Sequence, residues 1–87
     1  MNSKPIPVVA LIAVLTSATA FGADLCNVPE AERQPIEALQ RKLEDQGWKI
    51  KKIKTDRGCY EAYATTGGGQ RVEAYFNPKT FKLIKKL

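Results

Sequence analysis

The chain has 87 residues, a formal net charge of +5 and no histidine. That length allows one small domain at most. The missing histidine removes the Ser/His, Cys/His and His–metal constellations, and two cysteines alone make a poor metal site, so no metal or other cofactor is expected.

Lys4 gives a short positive leader, residues 8–15 (VVALIAVL) are an unbroken apolar run, and Thr16-Ser17-Ala18-Thr19-Ala20 is a small-residue stretch behind it. That order reads as a secretory signal peptide over residues 1–20, with an alternative cut after Ala23. The run is too short for a membrane anchor, which needs roughly 20 apolar residues. Acylation of Cys26 is rejected because Asp24-Leu25, not small residues, precede it. The expected location is therefore periplasmic or secreted, and nucleic acid is disfavoured as a partner.

Residues 24–87 remain as a single domain whose core is marginal at this size. Two cysteines in an exported chain read as one disulfide, Cys26–Cys59. It closes a loop of about 33 residues and stabilises by roughly 3–4 kcal/mol on chain-entropy arithmetic.

Residues 24–29 read as an extended lead-in. Pro29-Glu30-Ala31-Glu32 has the proline and acidic residues of a helical first turn, although Pro35 restarts the pattern. From Pro35 onward Ile36, Leu39 and Leu43, with Ala38 beside them, make one apolar stripe at helical spacing. Gly47 supplies a residue that can end the helix in a left-handed conformation. Trp48, Ile50 and Ile53 then mark a strand. A bulge at Lys51-Lys52 is needed to put both isoleucines on one face.

Arg57-Gly58 is a short hairpin signal. In the next strand Tyr60, Ala62 and Ala64 face one way, and Cys59, Glu61 and Tyr63 the other. The glycines at 67–69 read as a hairpin loop, since they lack the strand–loop–helix setting of a phosphate-binding loop. The third strand divides Val72, Ala74 and Phe76 from Arg71, Glu73 and Tyr75. Core must face core, which pairs Ala62 with Ala74, Ala64 with Val72, Glu61 with Tyr75 and Tyr63 with Glu73. Asn77-Pro78-Lys79-Thr80 is a further turn, and Phe81, Leu83 and Leu87 read as a fourth, lysine-rich edge strand. The fold class is α+β: one amphipathic helix packed on a four-stranded antiparallel sheet.

The basic excess sits in Lys49, Lys51, Lys52 and Lys54 and again in Lys79, Lys82, Lys85 and Lys86. Such lysines suit an acidic peptide or an anionic surface, and they are also an ordinary device against edge-to-edge aggregation, the reading favoured here. The face away from the helix carries Glu61, Tyr63, Arg71, Glu73 and Tyr75, expected to stay partly exposed as a binding face. Glu61 and Glu73 resemble the paired carboxylates of glycosidases. Nothing in the sequence supplies the deep pocket such chemistry uses, so surface glutamates are the favoured reading.

The run Cys26-Asn27-Val28-Pro29, Leu39-Gln40-Arg41-Lys42-Leu43 ending at Gly47-Trp48, Gly58-Cys59-Tyr60-Glu61, and the strand Val72-Glu73-Ala74-Tyr75-Phe76 leading into Asn77-Pro78-Lys79-Thr80 resembles the PepSY domain, in its small exported, cysteine-containing branch. The likeness covers the chain after the leader. Phe81 departs from it, since PepSY domains often carry glycine after the threonine. The resemblance implies a non-catalytic module that binds a protein or peptide and regulates a peptidase, and it carries no catalytic or ligand residue onto this chain. The competing expectation is a structural or stress-related exported protein that binds an anionic surface through its lysines.

Overall fold

A computed structural model describes residues 24–87, so the expected signal peptide and both candidate cleavage sites lie outside the described residues. A single 3-10 turn at Glu30–Glu32 precedes helix α1 (Ile36–Asp45). Strands β1 (Lys49–Asp56), β2 (Cys59–Thr65), β3 (Arg71–Phe76) and β4 (Leu83–Lys86) follow. They form one antiparallel sheet in the order β1-β2-β3-β4, with α1 on one face. No helix among the described residues is long and apolar enough to cross a membrane.

The turn Pro29–Glu32 stays short because its backbone does not continue. Arg33 and Pro35 are both extended, with ψ of 137° and 145°. α1 therefore starts at Ile36 with no side-chain cap. Its other end is closed in full: Gly47 N–H donates to Glu44 O and Trp48 N–H to Leu43 O, with Gly47 at φ +92°. Those two bonds form a Schellman motif, which satisfies carbonyls that the helix leaves open.

In β1 the ladder slips between Ile50 and Lys52, so Lys51 is the extra residue of a bulge. Ile50 then pairs with Ala64 and Ile53 with Ala62, both toward α1. The slip also turns Lys52, Lys54 and Asp56 to the opposite, outer face, where they pair with Tyr63, Glu61 and Cys59. The β2–β3 register is Ala62 with Ala74, Ala64 with Val72, Glu61 with Tyr75 and Tyr63 with Glu73, as core-to-core pairing requires.

The core under α1 is Leu39, Leu43, Tyr60, Ala62, Ala74, Phe76 and Phe81. Ala62 and Ala74 are fully buried, and their small side chains let the helix approach the sheet closely. Trp48 meets Phe76 edge-on with ring centroids 6.2 Å apart, a favoured aromatic arrangement. Val72 lies outside this cluster and only half-buried, because it sits toward the far end of β3 from the helix contacts.

The fourth strand differs from expectation at its start. Phe81 belongs to the turn and not to β4. The Asn77 side chain accepts from the amides of Lys79 and Thr80, and the Asn77 carbonyl accepts from Phe81. These bonds curl the chain so that Phe81 sits at φ +64° with its ring in the core. β4 is then bulged against β3 and exposed along its length.

Candidate functional site

The outer face of the sheet is built by two things, the strand parity and a strap of irregular chain. Arg57 (φ +52°) and Gly58 (φ +79°) make a two-residue turn with both residues left-handed, the geometry that matches the twist of a hairpin. The Arg57 carbonyl then accepts from the amides of Leu25 and Cys26 at 2.8 and 3.2 Å. The strap is fixed covalently as well, through a Cys26–Cys59 disulfide with Cα atoms 5.0 Å apart. It passes so close that a β-carbon on Gly58 would fall 2.1 Å from the Cys26 carbonyl oxygen. Further along, Gln34 N–H donates to Pro78 O at 2.9 Å.

The strap changes the expected exposure of the candidate face. Tyr75 is 6 % exposed and packs with Cys26 and Cys59 in a small cluster of its own. Glu61 is 2 % exposed. Both were expected at the surface, and both point away from α1 as the parity requires. What covers Tyr75 is the strap, which carries no periodic signal. Cys59 shares the parity of Glu61, so a bridge to Cys26 necessarily brings the strap across this side. Tyr63 and Glu73 are half-buried and Arg71 is exposed at the strand end.

The structure thus brings Glu61, Tyr63, Glu73 and Tyr75 together, and adds Asp56, which the sequence did not single out. Tyr75 Oη donates to Asp56 Oδ2 at 2.9 Å. Burial, that hydrogen bond and the Glu61 charge push the Tyr75 phenol up to about 12. Burial first, and then the neighbouring Glu73 carboxyl, raise the Glu61 carboxyl above its ordinary 4.5. Lys54 reaches Glu61 only at 4.0 Å from a half-exposed position, too loose a contact to offset burial. Hydrogen bonding to Glu61 leads the effects that push the Tyr63 phenol up. Lys52 and Lys54 stand over the Tyr63 ring, with Nζ 4.9 and 5.7 Å from its centroid.

Beside this cluster lies an open trough of about 480 Å³. Tyr63 and Leu87 give it apolar surface, and Lys51, Arg71 and Glu73 line it with charge. Lys51 reaches it because it is the bulged residue, a placement the sequence reading did not extract from the bulge. The trough suits recognition of a side chain that is apolar at one end and charged at the other. Glu61 is sealed beneath its neighbours, so Glu61 and Glu73 do not present two carboxylates to a bound substrate. Among the described residues no group of three His, Cys, Asp or Glu side chains could hold a metal ion.

The family described as peptidase propeptide and YPEB domain matches residues 6–87. No curated protein and no solved structure matches the chain.

Proposed function

The chain belongs to the peptidase propeptide and YPEB domain family, and from that premise we propose that it is a non-catalytic, exported module that binds a protein or peptide partner and regulates a peptidase. Domains of this family are generally propeptide-like or regulatory rather than catalytic. The observation that carries the reading is the outer-face trough, where exposed Arg71 stands beside half-buried Tyr63 and Glu73. An aromatic and an arginine at a concave site are the residue types that dominate protein–protein binding energy. The Cys26–Cys59 bridge fits an oxidising compartment, periplasmic or extracellular.

The test is inhibition of a thermolysin-type metallopeptidase by the purified, oxidised protein. Saturable slowing of peptide turnover is expected, weakened about tenfold by Tyr63→Ala or Arg71→Ala with the fold intact. Inhibition that is indifferent to both substitutions, or no inhibition and no binding, rejects the reading. Binding only to anionic vesicles, lost as salt screens the lysines, supports the anionic-surface function instead.

A further inference from the structure

A second surface, which meets the trough only at Leu87, lies where α1 stops short of the last strand. β4 is the outermost strand beside β3. Of the four large apolar side chains exposed among the described residues, Leu83, Ile84 and Leu87 are on or next to it. Between α1 and β4 runs a groove of about 220 Å³. Its floor includes Trp48, Phe76, Phe81 and Leu83, and Lys42 and Lys86 stand on its rim. Residues 79–87 contain four lysines and no acidic residue.

We propose that this edge accepts an extended peptide in which apolar and acidic residues alternate, paired with β4 as a fifth strand. Three observations select that occupant. The backbone supplies the first. Leu87 N–H donates inward to Glu73 O, so ladder alternation turns the amide and carbonyl of Lys86 outward, free for another strand. Side-chain parity supplies the second. Leu83 and Lys86 pair with Phe76 and Ala74 and so share the helix side, whereas Lys85 pairs with Tyr75 and faces the other way. A bound strand therefore meets an apolar groove flanked by a cation on one side and a second cation on the other.

Charge is the third. Lysines at an edge reject another cationic edge, and self-pairing of two β4 strands would oppose lysine to lysine, which destabilises a ladder. A second copy is disfavoured on that ground, while acidic side chains are complementary. Lysines used only for protection would not need exposed Leu83, Ile84 and Leu87 among them.

The probe is the capped heptapeptide acetyl-Glu-Val-Glu-Leu-Glu-Val-Glu-amide, titrated into isotopically labelled, oxidised protein at low ionic strength. Amide shifts are expected at residues 83–87 and at the groove residues Lys42 and Phe81. Lys85→Glu combined with Lys86→Glu should weaken binding about tenfold. The same peptide N-methylated on alternate amides should also lose about tenfold, because it cannot complete the ladder. Tyr63→Ala should leave this affinity unchanged, which separates the edge from the trough. Both lysines are exposed, and an unchanged circular dichroism spectrum checks the fold. The proposal is overturned by shifts that map to Tyr63, Arg71 and Glu73 instead, by affinity indifferent to the charge reversal, by equal binding of the lysine-for-glutamate peptide, by capture of phosphatidylglycerol vesicles without capture of the peptide, or by a β4-dependent dimer at low salt.

Discussion

Glu61 sits between Lys54 and Tyr75 in the ladder, with its carboxyl above the ordinary value because burial disfavours the charge. Between the ordinary 4.5 and the raised value the native state therefore holds a proton that the unfolded chain has released. The stability from this group is complete below the ordinary value and is lost as pH rises through the folded one. Urea unfolding from about pH 4 to about pH 8 should thus show a loss of stability on rising pH that Glu61→Gln removes. Parallel profiles for the two proteins would contradict this. Phe81 poses the opposite kind of conflict, between backbone and core. At φ +64° a bulky residue is strained by about 1–2 kcal/mol, yet its buried ring adds to the core under α1. Phe81→Ala removes the ring and keeps the strain, costing about 3–5 kcal/mol. Phe81→Gly removes both. The glycine variant should therefore be the more stable of the two by about 1 kcal/mol, although it is the smaller. Thermal melts that rank alanine above glycine would show that the left-handed turn is not retained. Glycine would adopt the same φ without strain; only the structure shows the Phe81 ring spending that strain on burial.

At the scale of elements, the strap and the β1–β2 turn act on each other. Replacing both Cys26 and Cys59 with serine should cost roughly 3–4 kcal/mol. Gly58→Ala should cost more than the about 1 kcal/mol of its positive φ, because its β-carbon would force the Cys26 carbonyl away. In the double-serine background the strap can move, so the excess over the φ term should disappear. A double-mutant cycle measured in denaturant reads that coupling directly. Additive costs would mean that the contact at Gly58 does not hold the strap. These elements also show what strand parity can and cannot reveal. Period 2, with the requirement that Ile50 and Ile53 share a face, was enough to place the bulge and the register of Ala62 and Ala74. It was enough to turn Glu61 and Tyr75 away from α1. Parity assigns a face but says nothing about what lies on it, and the covering segment has no period of its own. Phe81 reads as strand in the sequence for a related reason. Its apolar character looks the same in a strand and in a turn that folds inward, and the hydrogen bonds that decide between them come from Asn77.

For the whole molecule, the sheet ends in two cationic edges, β1 with Lys49, Lys51, Lys52 and Lys54, and β4 with Lys85 and Lys86. Repulsion between such edges weakens as ions screen it, with a Debye length of about 10 Å at 0.1 M salt and about 3 Å at 1 M. Sedimentation should find a monomer at low ionic strength and growing self-association in high salt, where the apolar residues of β4 are no longer kept apart. A dimer that weakens as salt is added would reverse that account. The bridge has a further consequence for how the molecule is assembled. Both cysteines precede β3, whereas Ala74 and Phe76 within it and Phe81 beyond it complete the core. A chain delivered from its N-terminus has both thiols in hand when only α1 and the first hairpin exist. Oxidation at that stage lays residues 24–29 on the Cys59 side of the young hairpin and leaves the Tyr60 side open for α1. The disulfide then locks in, before the core is complete, the division into inside and outside that the period-2 pattern of β2 already encodes.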